Sequence, residues 1–306
     1  MSTSIEFVPG GFSTKVVELN LESFQIESEK TGGRYNISVS LPDGADKMGP
    51  LPVVYTLDAQ WHGGGYEKAH NGLMKGESLW PAGPFVQVNI GYTMEDGDLA
   101  VALRNHDLVP QGDAFPEGFR EYLAEHLGSA GEHASDDKLD FFFKILDDPR
   151  ADLFLSFLED DLHPLIKSRY NVSDENAGVF GFSYGGLFAL YALVAQSKLF
   201  TRFGAASAGL LTPNSKVFTL YQELVASDTS GRQRHVHFTI GGGEVWGRVS
   251  LYRKMTIEIL KLHNEMLDHP VDGLKVTSHY IEGEDHETGI IEAYKSFARA
   301  CYPDRR

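Results

Sequence analysis

The chain has 306 residues, 42% hydrophobic and 23% charged, a balance that suits a globular protein with a substantial core. Its formal net charge of −16 argues against nucleic acid or an anionic membrane as the main partner, because both need clustered Lys and Arg. The single cysteine, Cys301, excludes an internal disulfide framework and a cysteine zinc cluster. Met1–Gly10 lacks a basic region followed by an apolar stretch, and no apolar run approaches the about 18 residues of a membrane span. A cytoplasmic protein is therefore expected.

Taken in order, Val16–Leu21 and Arg34–Leu41 alternate as antiparallel strands do, with Gly32-Gly33 and Pro42-Asp43-Gly44 as turns. Leu51–Leu57 is a continuous apolar run, the mark of a buried central strand, and Phe85–Ile90 is another strand. Residues 111–150 are rich in Gly, Asp and Glu and hold too few large apolar residues for a core of their own. They read as a surface insertion or lid. From Ala151 to Tyr170 apolar residues recur at helical spacing, with Pro164 either kinking that helix or starting its last turn.

The chain then alternates: strand Ala177–Phe182, helix Gly186–Gln196, strand Phe203–Ala206, helix Val217–Ala226, strand His235–Ile240, helix Leu251–Leu267, strand Lys275–Ile281 and helix Thr288–Cys301. Such alternation predicts an α/β fold, a mainly parallel sheet with helices on both faces. One domain covering residues 1–306 is the simplest reading.

Gly181-Phe182-Ser183-Tyr184-Gly185-Gly186 contains a G-x-S-x-G match between the apolar strand ending at Phe180 and the apolar helix from Leu187. That is the strand–turn–helix setting of an α/β-hydrolase nucleophile elbow, in which the serine sits on a sharp, strained turn above the sheet. Ser183 is the candidate nucleophile. A serine hydroxyl needs a base, and in this fold the order along the chain is nucleophile, acid, base. Of the downstream histidines, His235, His237 and His279 lie in strands, His263 in a helix and His269 at its end. Only His286 falls in the loop after the last strand. The acid belongs in the loop Gly241–Gly247, where Glu244 is the one carboxylate. Asp272 is the reserve, and a Ser–His dyad without an acid is also compatible with the chemistry.

One oxyanion donor is expected at the Tyr184 N–H. The second comes from the loop after Leu57, where His62-Gly63-Gly64-Gly65 looks like the HGGG element of some lipases but arrives four residues late. The Gln60 N–H is favoured, with the glycine run as a flexible wall. Trp61, Arg104 and Trp246 are candidate substrate-binding residues. No H-E-x-x-H, clustered Cys/His spacing, strand-following G-x-G-x-x-G or P-loop is present, so neither metal nor cofactor is expected.

With these residues in hand, the chain resembles the Putative esterase family of α/β-hydrolases, which includes esterase D-like enzymes and ferri-siderophore esterases. Tyr55–Gln60 is similar to the family's Leu-Leu-Asp-Gly run, with Ala59 in place of the usual Gly. Arg104–Pro110 is similar to its Arg-x-x-Asp-Leu-x-Pro segment, and Phe157–Pro164 to the helix ahead of the nucleophile. The elbow and Gly283–His286 complete the resemblance. It implies a serine esterase acting on a small-molecule ester through an acyl-enzyme. A siderophore ester is one substrate it allows, and Arg104 and Arg248 could meet an anionic chelate. Acyl transfer, thioester cleavage and a non-catalytic binding role are the alternatives. Oligomeric state is not legible.

Overall fold

The computed structural model describes residues 21–74, 78–93, 95, 97–113, 115, 117–126, 133–209, 212–228 and 230–304. Eight strands form one sheet: β1 (Leu21–Glu27), β2 (Arg34–Ser40), β3 (Leu51–Thr56), β4 (Val86–Tyr92), β5 (Val172–Phe182), β6 (Arg202–Ala206), β7 (Arg234–Gly241) and β8 (Leu274–Ile281). Their order is β1-β2-β4-β3-β5-β6-β7-β8. β1, β2 and β4 pair antiparallel and the rest run parallel. The continuous apolar run becomes the interior strand β3 and Phe85–Ile90 gives the fully buried β4, whereas β2 buries alternate residues, Tyr35, Ile37 and Val39. The expected first strand, Val16–Leu21, lies outside the described residues except for Leu21, which opens β1.

Strand pleating sends neighbouring side chains to opposite faces. Val54, Phe180 and Phe182 meet one set of helices, α1 (Ala59–Met74) and α11 (Ile290–Cys301). Val53, Tyr55 and Val179 meet the other, including α5 (Ala151–Phe157), α7 (Tyr184–Val194) and α8 (Lys216–Ser227). α2 (Asp98–Leu108) and α10 (Ser250–Asp268) lie on this second side. Within residues 111–150, α3 (Phe119–His126) and α4 (Asp136–Leu146) pack against each other, and α4 packs on α2. No described helix is long and apolar enough to cross a membrane.

Two expectations are corrected. Gly63-Gly64-Gly65 is not a flexible wall but lies inside α1. Glycine costs a helix about 1 kcal/mol per residue relative to alanine, and tertiary packing overrides that cost. A Cβ on Gly65 would come 2.6 Å from Ile291 Cδ1, so its absence lets α1 sit directly on α11. The segment Gly241–Gly247 is likewise not a loop throughout, since Gly242–Trp246 forms the short helix α9. Ahead of the nucleophile, α5 passes through a π-helical turn, Leu158–Leu162, into α6 (His163–Arg169). The widened turn accommodates Pro164, which lacks an N–H and would crowd the carbonyl four residues back.

Candidate active site

β5 runs straight into α7 through Ser183, whose backbone takes φ 57° and ψ −120°. A positive φ is uncommon for a residue with a side chain. The turn is held by Ser183 N–H donating to Ala206 O (3.0 Å) and by Ser183 O accepting from Leu187 and Gly209 N–H (3.0 and 2.7 Å). Gly181 is required here, because a Cβ on it would lie 2.2 Å from the Gly185 backbone. Gly209 also presses on the elbow. An added Cβ would come within 2.9 Å of Ser183 Oγ and 3.1 Å of Tyr184 N.

Ser183 Oγ lies 3.1 Å from His286 Nε2, and His286 Nδ1 lies 2.5 Å from Glu244 Oε1. With Nδ1–H donating to the carboxylate, Nε2 is free to accept the serine proton. Glu244 is 2% exposed, and its Oε2 accepts from Ser207 Oγ (2.7 Å) and Gly241 N–H (2.8 Å). Asp272 has no part in this chain of contacts. The glycines explain how Glu244 meets His286. Cβ atoms on Gly241 and Gly243 would fall 2.9 Å from Glu284 O and 2.6 Å from Asp285 Cβ, so the β7–α9 corner rests on the backbone just before His286. Asp285 Oδ1 accepts from Glu287 and Thr288 N–H (2.9 and 3.1 Å), closing the turn that presents the imidazole. Those backbone hydrogen bonds hold the Asp285 carboxyl below the usual carboxylate range.

The imidazole is also fixed by packing. Tyr252 on α10 stacks on it, with centroids 4.2 Å apart and planes at 21°, and Phe182 lies at 4.9 Å. Tyr252 O–H donates to Glu287 (3.3 Å) and lies 3.0 Å from the Tyr122 hydroxyl on α3. Tyr122 and Tyr252, with Val101, Arg104, Asn105, Phe119, Leu123, Phe142, Leu251 and Met255, line a cavity of about 170 Å³ at Ser183. Arg104 lines it with its charge already engaged. Its Nε and Nη2 donate to the two Asp58 oxygens at 2.6 and 2.7 Å, and the guanidinium lies against the Tyr184 and Trp61 rings. Burial alone would pull the Arg104 pKa down, but the Asp58 charge and hydrogen bonds outweigh it and hold it above its ordinary value.

The family described as Putative esterase matches residues 130–265. A siderophore triacetylfusarinine C esterase of Aspergillus fumigatus is 27% identical over 66% of this chain and 60% of its own length. The ferri-bacillibactin esterase BesA of Bacillus subtilis is 26% identical over 66% of this chain and 62% of its own. The chain is thus similar to that family over part of its length. Its matches span about three fifths of the length of these curated relatives. Among solved structures, siderophore hydrolase EstA from Aspergillus nidulans superposes with TM-score 0.71 at 22% identity over 97% of this chain and 98% of its own. The BES protein of Bacillus cereus gives 0.70 at 21% over 99% and 100%. These likenesses show a common α/β-hydrolase fold.

Where the family it resembles has an Asp-Gly run, this chain places Asp58 at φ 61° and begins α1 at Ala59. Gln60 stands in the first turn of α1, where backbone N–H groups have no partner inside the helix. Its side chain, however, accepts from Tyr92 N–H (3.2 Å) and lines a separate groove beside β1 and β2. Trp61 is 46% exposed and does not line the Ser183 cavity. Trp246 is a correction. It is two residues from Glu244 on α9, about 200° around the helix, so turning Glu244 toward His286 turns Trp246 away. It is 81% exposed and borders a different groove, with Phe238 and Tyr280. Sequence reasoning missed Tyr252, Gly209 and Asn105. The Tyr252 stack joins positions 34 apart, and nothing local in the sequence marks it.

Proposed function

We propose that this protein is a carboxylic ester hydrolase using Ser183, His286 and Glu244. The observation that carries the reading is the continuous path from Ser183 Oγ through the His286 ring to Glu244, at 3.1 and 2.5 Å. His286 Nε2 takes the Ser183 proton as Oγ attacks the ester carbonyl. Glu244 holds the ring in the tautomer this needs and stabilises the imidazolium. The oxyanion that forms meets the N–H of Tyr184 at the start of α7 and that of Gln60 at the start of α1. His286 then returns the proton to the leaving alcohol, and water admitted by the same base releases the acyl group from Ser183. We read residues 1–306 as one catalytic domain, with 111–150 as the cap over the reacting centre.

The substrate class we favour is a siderophore ester, a reading supported by the names of the curated relatives, which are esterases of such chelates. The test has two parts. Purified protein should hydrolyse a chromogenic short-chain ester and take a fluorophosphonate label on Ser183, and Ser183→Ala should lose both. It should then open a trilactone siderophore faster than a simple aryl ester. Equal activity of wild type and Ser183→Ala would end the mechanistic reading, and no turnover of the chelate would end the substrate reading alone.

A further inference from the structure

Asn105 stands on α2 one turn after Val101 and beside Arg104, and all three line the Ser183 cavity. Of the ionic and phenolic groups around it, Arg104 is engaged with Asp58, Tyr122 with Tyr252, Tyr252 with Glu287, and His286 with Ser183 and Glu244. Asn105 differs. It is 3% exposed, and its Oδ1 has no hydrogen-bond partner among the described residues. A buried carbonyl oxygen left without a donor is destabilising, and native proteins rarely keep one without a use. Its neighbours in the wall include Val101, Leu123, Phe142 and Met255, so leucine would suit the fold better. In the segment that resembles Arg-x-x-Asp-Leu-x-Pro, Asn105 falls at an open position.

The cavity, at about 170 Å³, is smaller than the ~300–1,000 Å³ of pockets that enclose a whole ligand. It has room for one arm of a larger ester. We propose that Asn105 is a specificity determinant whose covered Oδ1, on rotation of the side-chain amide, accepts a hydrogen bond from a hydroxyl or amide N–H on that arm. The preferred substrates are then esters bearing such a donor near the scissile bond, rather than plain alkyl esters. This inference rests on the reading of Ser183 as the ester-cleaving nucleophile.

Two series of esters test it. In the first, para-nitrophenyl esters carry a hydroxyl at the second, third or fourth acyl carbon, each paired with the ester bearing a methyl group there. In the second, butyrate esters of alcohols are paired in the same way. Wild type, Asn105→Leu and Asn105→Ala are compared, with thermal unfolding of each. In at least one pair, wild-type kcat/KM should favour the hydroxyl by about tenfold or more, as sites built to meet a polar group do. Both variants should bring that ratio near one. Asn105→Leu should unfold no earlier than wild type, since it removes an unpaired buried acceptor. The proposal is overturned by equal rates within every wild-type pair, or by a preference that survives in both variants. A lowered unfolding midpoint in Asn105→Leu would assign Asn105 a structural role instead. Failure of the underlying reading looks different: no ester of either series is cleaved and Ser183 resists fluorophosphonate.

Discussion

His286 Nδ1 and Glu244 Oε1 lie 2.5 Å apart, and the second oxygen of the same carboxylate is held by Ser207 and Gly241. Glu244 is therefore fixed at both ends before it meets the ring. Glu244→Gln keeps the shape but offers an N–H or a neutral oxygen where a carboxylate stood. Its kcat should fall by about 10²–10⁴-fold with little change in folding. Steady-state kinetics beside a thermal melt checks this, and wild-type kcat would show that a Ser–His dyad suffices.

The face-to-face contact of Tyr252 with His286 makes a second prediction. Aromatic stacking of this kind is worth about 0.5–1.5 kcal/mol beyond burial. Tyr252→Leu should lower kcat/KM by up to about tenfold, while Tyr252→Phe, which keeps the ring, should recover most of it. If both variants lose activity equally, the hydroxyl contacts to Tyr122 and Glu287 matter more than the stack.

Gly209 leaves room for Ser183 Oγ and Tyr184 N. Gly209→Ala should put a methyl group against both. We expect a folded protein whose hydrolysis rate drops by about 10²-fold or more, the loss associated with removing one oxyanion donor. Fluorophosphonate labelling should slow in parallel, and unchanged labelling would show that the elbow yields to the methyl group.

The adjacent glycines of α1 should respond in opposite directions. Nothing lies within 4 Å of a Cβ on Gly64, so Gly64→Ala should stabilise the protein by about 0.5–1 kcal/mol. Gly65→Ala meets Ile291 and should destabilise it. Urea midpoints measured side by side decide, and the same sign for both would contradict the close fit of α1 on α11.

How the sequence reached the site is instructive at particular residues. Ser183 was legible because its geometry is local: strand, glycines and helix are contiguous in the chain. Chain order in this fold restricts where a partner for Ser183 can lie, and the structure places His286 beside Ser183 and Glu244 beside His286. The helical state of Gly63–Gly65 was hidden, since low propensity reads as loop and only Ile291, far along the chain, reverses it. Arg104 read as a free cation for substrate because its partner Asp58 is 46 positions away. Trp246 was misdirected for want of the angle that α9 imposes.

Acid should weaken the fold through His235 and His237. Burial, followed by neighbouring positive charge, lowers their pKa values to about 4 and about 3. Their rings bond Thr277 Oγ1 at 2.7 and 2.8 Å, and His237 also reaches Ser296 at 2.9 Å. Lys275 and Arg202 act on His235, and Lys275, His235 and His279 on His237. The unfolded chain takes up these protons below its ordinary histidine pKa of about 6.5, whereas the folded chain resists. The unfolded state thus binds more protons in that window. The stabilising contribution is complete above about pH 6.5 and is lost as pH falls through about 4 and 3. The urea midpoint should drop between neutral and mildly acidic buffer, and His237→Asn should flatten that slope. Parallel curves would sink the assignment.

The β7–α9 corner seated on Glu284 and Asp285 means that the Ser183–His286–Glu244 contacts proposed as a proton relay are complete at rest. No substrate energy need be diverted to assemble it, so a small phosphonylating reagent should react from the first instant, without a lag. On the proposed reading, what remains for α3 and α4 is admission: the site is ready to cleave whatever is presented, and the walls above it choose what that will be.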